Sequence, residues 1–175
     1  GVYIVNAGPA SPQRVQIGGS NPGEGNVIAN WGGNGIRVER NADAAPPLRF
    51  HAWLANRIHS NGALGIDLID TATGEGTHPM SAAPTTVNAS ARYPLILSAT
   101  GNPGGTAVNF EFTGAANALY RMDVFANGAC DPTNFGEGQT HLGAVLVTTN
   151  GSGGYSGTAS MPAVPAGSRV TMTAT

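Results

Sequence analysis

Arg37 and Asp67 are charged residues at matching places in two related stretches, Gly35-Ile-Arg-Val-Glu39 and Gly65-Ile-Asp-Leu-Ile69. Enzymes that cleave polysaccharides use two or three clustered carboxylates, often with calcium or an arginine base, so aligned charges on one surface are the first place to look for chemistry. Here the alignment sets Arg37 against Asp67 and Glu39 against Ile69. That supplies no carboxylate pair, and Arg37 with Asp67 most simply makes an exposed cross-strand ion pair worth about 0.2–1 kcal/mol. Asp67, Asp70 and Glu75 offer oxygen ligands for calcium, but their spacing lacks the loop pattern of a dedicated calcium site. Asp131 and Glu137 make a weaker pair, since Asp131 precedes Pro132 and reads as a turn former. His51 and His59 can approach on adjacent strands, yet zinc needs a third ligand. No Ser/His/Asp order, phosphate loop or Cys/His pairing emerges, and the sequence nominates no catalytic residue. Trp31, Trp53 and Tyr3 are the remaining hints: aromatic rings facing outward from a flat sheet stack on sugar rings, whereas rings at a corner cover core. The candidate ligand-binding residues are therefore Trp31, Trp53, Arg37 and Asp67.

These residues lie within or beside an internal repeat. Asn26-Val-Ile-Ala-Asn-Trp-Gly-Gly-Asn-Gly-Ile-Arg-Val-Glu39 matches Asn56-Arg-Ile-His-Ser-Asn-Gly-Ala-Leu-Gly-Ile-Asp-Leu-Ile69 in the frame N-x-I-x-[NS]-x-G-x-x-G-I-x-[VL]. One unit of this length cannot bury its own apolar face, so such repeats stack. Gly1-Val-Tyr-Ile-Val5 aligns with the Gly-Ile-x-[VL] ends, giving an inward column of Val2 and Ile4, Ile36 and Val38, Ile66 and Leu68. Ile28 over Ile58 forms another column. A third runs from Val15 and Ile17 to Leu48-Arg-Phe-His-Ala-Trp-Leu54, where Leu48, Phe50 and Ala52 point one way and Arg49, His51 and Trp53 the other, with Phe50 in the column. Three columns recurring once per turn predict the last two to three turns of a right-handed parallel β-helix, with Asn26 and Asn56 in an amide ladder and Gly35 and Gly65 at corners that a Cβ would obstruct. Residues 40–47 read as a surface insertion. A leucine-rich repeat has similar spacing but wants several leucines per unit.

The bulk composition agrees. Of 175 residues, 41% are apolar and only 10% charged, with 26 glycines, which suits short strands joined by tight turns and an all-β class. The formal charge of −2 and eight dispersed Lys and Arg residues offer no field for phosphates, so nucleic acid is not an expected partner. No apolar run is long enough to span a membrane as a helix. Cys130 is the single cysteine, so no intrachain disulfide forms. The chain reads as a fragment of a larger protein whose first strand exposes an open edge able to pair with another copy.

Beyond Asp70 the pattern stops, and residues 71–90 are rich in turn formers, so the domain boundary is expected near residue 90: β-helix turns and exit linker over 1–90, a sandwich over 91–175. Six alternating segments follow, at residues 94–99, 107–112, 119–125, 142–148, 154–160 and 169–173, and they predict an antiparallel immunoglobulin-like sandwich. Val108, Phe110 and Phe112 face inward; Tyr120, Met122 and Val124 or the opposite set join them.

The repeat, then Leu64-Gly-Ile-Asp-Leu68, Tyr120-Arg-Met-Asp-Val-Phe-Ala126, Ala129-Cys-Asp-Pro and Phe135-Gly-Glu-Gly-Gln-Thr-His-Leu-Gly143, together resemble the C-terminal part of large bacterial secreted or cell-surface proteins in which a parallel β-helix passes into a β-sandwich. The resemblance implies a secreted or cell-surface location and a non-enzymatic structural or adhesin-like role, with a glycan or another surface protein as partner. Two other roles stay open: the C-terminal cap of a polysaccharide-degrading enzyme with its catalytic turns upstream, and a glycan-binding module. The linker after Gly-Ile-Asp-Leu lacks the Asp and Asn richness common in that family, so calcium is only a possible cofactor.

Overall fold

The computed structural model describes residues 1–6, 14–40, 51–70, 92–130 and 137–175. All regular structure within them is β. The N-terminal part is a stack of parallel strands. Strands β1 (Val2–Asn6), β4 (Ile36–Arg40) and β7 (Ile66–Asp70) form one parallel sheet; β2 (Gln16–Gly18) pairs with β5 (Ala52–Leu54), and β3 (Val27–Ala29) with β6 (Arg57–His59). Val2 stands over Ile36 and Ile36 over Ile66; Ile28 stands over Ile58. The chain thus visits three columns in turn and returns to the first, as the repeat predicts.

Apolar side chains of all three columns meet in the middle of the stack. Ile4, Ile28, Ile36, Val38, Trp53 and Ile58 are buried together, with Val2, Val15, Ile17, Ile66 and Leu68 packed around them. Full burial of each such side chain stabilises the fold by roughly 1.5–3 kcal/mol. One column differs from expectation. Ile17 is in register with Trp53, so Trp53 faces into the core, and the level of Val15 is taken by His51, whose Nδ1 accepts the Val15 amide at 3.1 Å. The expected column through Phe50 does not form at that level; Phe50 itself, like the insertion at residues 40–47 beyond Arg40, lies outside the described residues.

Polar ladders hold the corners. Asn56 Oδ1 accepts both the amide and the side-chain Nδ2 of Asn26 at 3.0 Å, and Asn56 Nδ2 donates to the Ile17 carbonyl at 2.8 Å. A second ladder runs through Asn61, which accepts the Trp31 amide at 3.2 Å and donates to the Ile28 carbonyl at 3.1 Å. The [NS] position of the repeat is a left-handed corner in both turns, with φ of 58° at Asn30 and 57° at Ser60. The two motif glycines are not equivalent. A Cβ at Gly35 would stand 2.5 Å from Ile58 Cγ2 and 2.7 Å from the Gly65 carbonyl oxygen, whereas one at Gly65 would meet nothing closer than 3.5 Å. The obstruction expected at both corners exists only at Gly35, because Ile58 and Gly65 of the following turn lie directly against it.

The C-terminal part has six antiparallel strands. Strands β8 (Leu95–Asn102), β9 (Gly105–Thr113) and β12 (Gly154–Met161) form one sheet in the order β12-β9-β8; β10 (Leu119–Asn127), β11 (Thr140–Thr148) and β13 (Arg169–Ala174) form the other in the order β11-β10-β13. Each overlaps one of the six predicted segments. The sheets pack as a sandwich over Val108, Phe110, Phe112, Met122, Val124, Val147, Ala159, Met161 and Met172. Met122 and Val124 are thus the inward set on β10. The expected boundary near residue 90 lies outside the described residues.

Candidate functional site

The outer face of the β1-β4-β7 sheet gathers Tyr3, Arg37, Glu39 and Asp67. Strand alternation sends the apolar column inward and these side chains outward, with Tyr3 beside Arg37 and Arg37 beside Asp67 in register. Glu39 Oε2 accepts the Tyr3 hydroxyl at 2.6 Å and Arg37 Nη2 at 2.9 Å, and the guanidinium carbon sits 5.6 Å from the Tyr3 ring centre. The Tyr3 phenol is raised above its ordinary pKa chiefly by its hydrogen bond to Glu39, and the Glu39 carboxyl is lowered by hydrogen bonds from Tyr3 and then Arg37. This is a pre-ordered cluster of a phenol, a carboxylate and a guanidinium. Asp67 is buried beside it and accepts Asn34 Nδ2 at 2.6 Å, while Asn34 Oδ1 takes the Leu64 amide at 3.1 Å. Arg37 therefore directs its hydrogen bond along its own strand to Glu39.

Of the two tryptophans, Trp31 is 57% exposed and Trp53 only 8%. Trp53 lies in the core under Ile17, with the His51 ring 6.4 Å away, and Trp31 lies on the turn that leads into β4. The structure thus sets Arg37 and Asp67 side by side on neighbouring strands, leaves Trp31 exposed on the turn before β4 and places Trp53 within the core. His51 is on β5's approach and His59 on β6, so the two face different columns; burial lowers the His51 pKa below the ordinary histidine value. Among the described residues no group of three or more His, Cys, Asp or Glu side chains could hold a metal ion. The side chain of Asp70, together with Glu75 and Asp131, lies outside the described residues. Cys130 is an exposed free thiol.

Two further polar centres lie elsewhere, one on Asp123, which the sequence did not single out, and one on Glu137, which it offered only as a weak ligand partner of Asp131. On the outer face of β10, buried Asp123 accepts Arg121 Nε at 3.0 Å and Nη2 at 2.9 Å, and its Oδ1 lies 2.7 Å from His141 Nε2. Burial opposes ionisation of Asp123, but the hydrogen bonds from His141 and Arg121 outweigh it, and the carboxyl titrates below the usual carboxylate range. The second centre joins the two halves of the chain. Glu137 accepts the Ser60 amide at 2.6 Å and the Asn61 amide at 3.2 Å, while Gly138 forms an antiparallel bridge with Ile58. From the sandwich side, Glu137 O accepts Asn127 Nδ2 at 2.8 Å and Thr171 Oγ1 at 2.6 Å. Asn34 could have been found from the repeat, since it aligns with Leu64; nothing local to Glu137 or Asp123 announces their partners.

No known protein family matches this chain, and neither does any curated protein.

Proposed function

We propose that this chain is a non-enzymatic structural module of the extracellular or cell-surface kind, the stack-and-sandwich part of a larger secreted protein. The observation that carries this reading is the clamp between the halves. The segment Glu137 to Gln139 hydrogen-bonds β6 on one side and β10 and β13 on the other, through backbone and side-chain groups together. Such a junction resists bending between the two parts, which suits a module that spaces or presents a surface. The low charged fraction and the polar ladders of asparagine also suit a setting in which the fold itself is the product. Incubating the protein with neutral and acidic polysaccharides and following product by chromatography tests it. No product is expected; reproducible cleavage that a single substitution at Glu39, Asp67 or Asp123 abolishes would overturn the reading.

A further inference from the structure

We infer that Asn150 and Gly151, in the turn joining β11 to β12, form a site of spontaneous covalent self-modification, at which the asparagine converts through a succinimide to aspartate and isoaspartate. The chemistry needs only water and is independent of the structural role proposed above.

The chain contains four Asn-Gly pairs, at Asn34, Asn61, Asn127 and Asn150. In such a pair the glycine nitrogen can attack the asparagine side-chain carbon Cγ, because glycine lets the backbone rotate far enough to close a five-membered ring. The step needs a glycine N–H able to lose its proton and an asparagine NH2 able to leave. Three of the pairs are tied at both groups. The Gly35 amide donates to the Leu64 carbonyl at 2.9 Å, and Asn34 Nδ2 donates to Asp67 at 2.6 Å. The Gly62 amide donates to the Trp31 carbonyl at 2.7 Å, and Asn61 Nδ2 to the Ile28 carbonyl at 3.1 Å. The Gly128 amide donates to Gln139 Oε1 at 3.2 Å, and Asn127 Nδ2 to the Glu137 carbonyl at 2.8 Å. Asn61 and Asn127 are buried as well.

Asn150 is the exception. It is exposed, and neither its Nδ2 nor the Gly151 amide donates to any described group. A Cβ at Gly151 would meet nothing within 4 Å, so the ring has room to close. The side-chain oxygen is held instead: Asn150 Oδ1 accepts the Ser152 amide at 3.0 Å, the Ser152 hydroxyl at 2.8 Å and the Gly154 amide at 2.9 Å. The bond to the Ser152 amide folds the side-chain carbonyl back along the chain, with the Gly151 nitrogen inside the loop it closes. All three donors address the oxygen on which negative charge develops when Cγ is attacked, the arrangement that stabilises an oxyanion.

The Gly151 nitrogen gives its proton to solvent and bonds to Cγ; the tetrahedral intermediate expels Nδ2 as ammonia and leaves the succinimide. Water then opens the ring. Cleavage at Cγ gives aspartate, and cleavage at the main-chain carbonyl gives isoaspartate, with the chain rerouted through Cγ. No atom changes oxidation state, and either product adds one negative charge. Isoaspartate also displaces the Asn150 carbonyl that accepts the Gly153 amide at 2.9 Å and the Asn117 amide at 3.1 Å, so it loosens the turn from the loop between β9 and β10.

Peptide mapping of the folded protein after incubation in mildly alkaline buffer tests the site. Electron-transfer fragmentation places each amide-to-acid mass gain, and isoaspartyl methyltransferase labels the isoaspartate. Asn150 should convert roughly tenfold or more faster than Asn34, Asn61 or Asn127, the selectivity expected when hydrogen bonds must break before the other pairs react. In denaturing urea the four should convert at similar rates. Gly151→Ala should slow conversion of Asn150 roughly tenfold or more, because a Cβ restricts the rotation that closes the ring. That Cβ enters open space, so circular dichroism should be unchanged. An Asn150 that stays an amide in the folded protein while converting in urea, equal conversion at any of the other three pairs, or full-speed conversion in Gly151→Ala would each overturn the site.

Discussion

Gly138 and Ile58 exchange both backbone hydrogen bonds: the Ile58 amide donates to the Gly138 carbonyl at 2.9 Å, and the Gly138 amide donates to the Ile58 carbonyl at 2.6 Å. One residue of the sandwich therefore serves as the next rung beneath β6. Gly138 is suited to this position because a Cβ there would stand 3.0 Å from the Phe125 ring.

The clamp should couple the unfolding of the two halves. Replacing Gly138 with Pro removes the amide that Ile58 accepts, and Glu137→Ala leaves the Ser60 and Asn61 amides without their carboxylate. Each lost hydrogen bond costs about 0.5–1.5 kcal/mol, and more at buried Asn61 than at exposed Ser60. Urea unfolding followed by tryptophan fluorescence for the stack and by far-ultraviolet circular dichroism for the whole chain should coincide in the parent protein. In Gly138→Pro the two transitions should separate, with the fluorescence midpoint moving to lower urea.

Asp123 should dominate the acid limb of the sandwich's stability. Its folded pKa lies below its unfolded value near 3.9. The stabilisation is therefore fully present above that unfolded value and is lost as pH falls through the lower folded one. Asp123→Asn leaves the partly buried Arg121 without its carboxylate and should destabilise the protein by about 2–4 kcal/mol at neutral pH. It should also flatten the stability profile below pH ~4, measured by urea midpoints at a series of pH values.

His51 should act in a different window. Burial lowers its folded pKa, and its Nδ1 must stay unprotonated to accept the Val15 amide. The unfolded chain then binds the proton more readily, so the contribution is complete above the unfolded pKa of roughly 6.5 and declines as pH falls below it. Thermal melts between neutral and mildly acidic pH should show Tm falling with pH, and His51→Gln should reduce that slope while lowering Tm at neutral pH.

The two motif glycines should separate in mutagenesis. Gly35→Ala forces a methyl against Ile58 and the Gly65 carbonyl and should cost about 1–3 kcal/mol, the range for overpacking a close-packed site. Gly65→Ala meets only ordinary contacts and should change stability by less than about 1 kcal/mol. Chemical denaturation of both variants compares them directly; equal losses would contradict the asymmetry.

Much of the fold is legible before any coordinates. The spacing from Asn26 to Asn56 implies the amide ladder that forms, and the alternation at residues 107–112 and 142–148 implies the strands that pair in the sandwich. The face that gathers Arg37 and Asp67 is legible too, because register follows from the repeat. The hydrogen bonds on that face are less so. Alignment set Arg37 against Asp67, but a carboxylate two residues along the same strand, on the same face, is also within reach of a long arginine side chain, and Glu39 holds the guanidinium at 2.9 Å.

The sequence by itself determined the columns and strands, since a repeat and a two-residue alternation are local patterns that act through backbone geometry. It divided the residues before Leu54 into two faces, but only the tertiary structure decided that Trp53 turns inward, because alternation leaves both choices open until Ile17 stacks in register above it. Likewise only packing decided that β10 is buried on both faces, with Met122 and Val124 in the sandwich core and Asp123 and Phe125 on the opposite side. Glu137 shows the same limit at greater range: its partners Ser60 and Asn61 lie more than seventy residues earlier in the chain. No period or propensity joins residues so far apart; their contact exists because the stack and the sandwich dock.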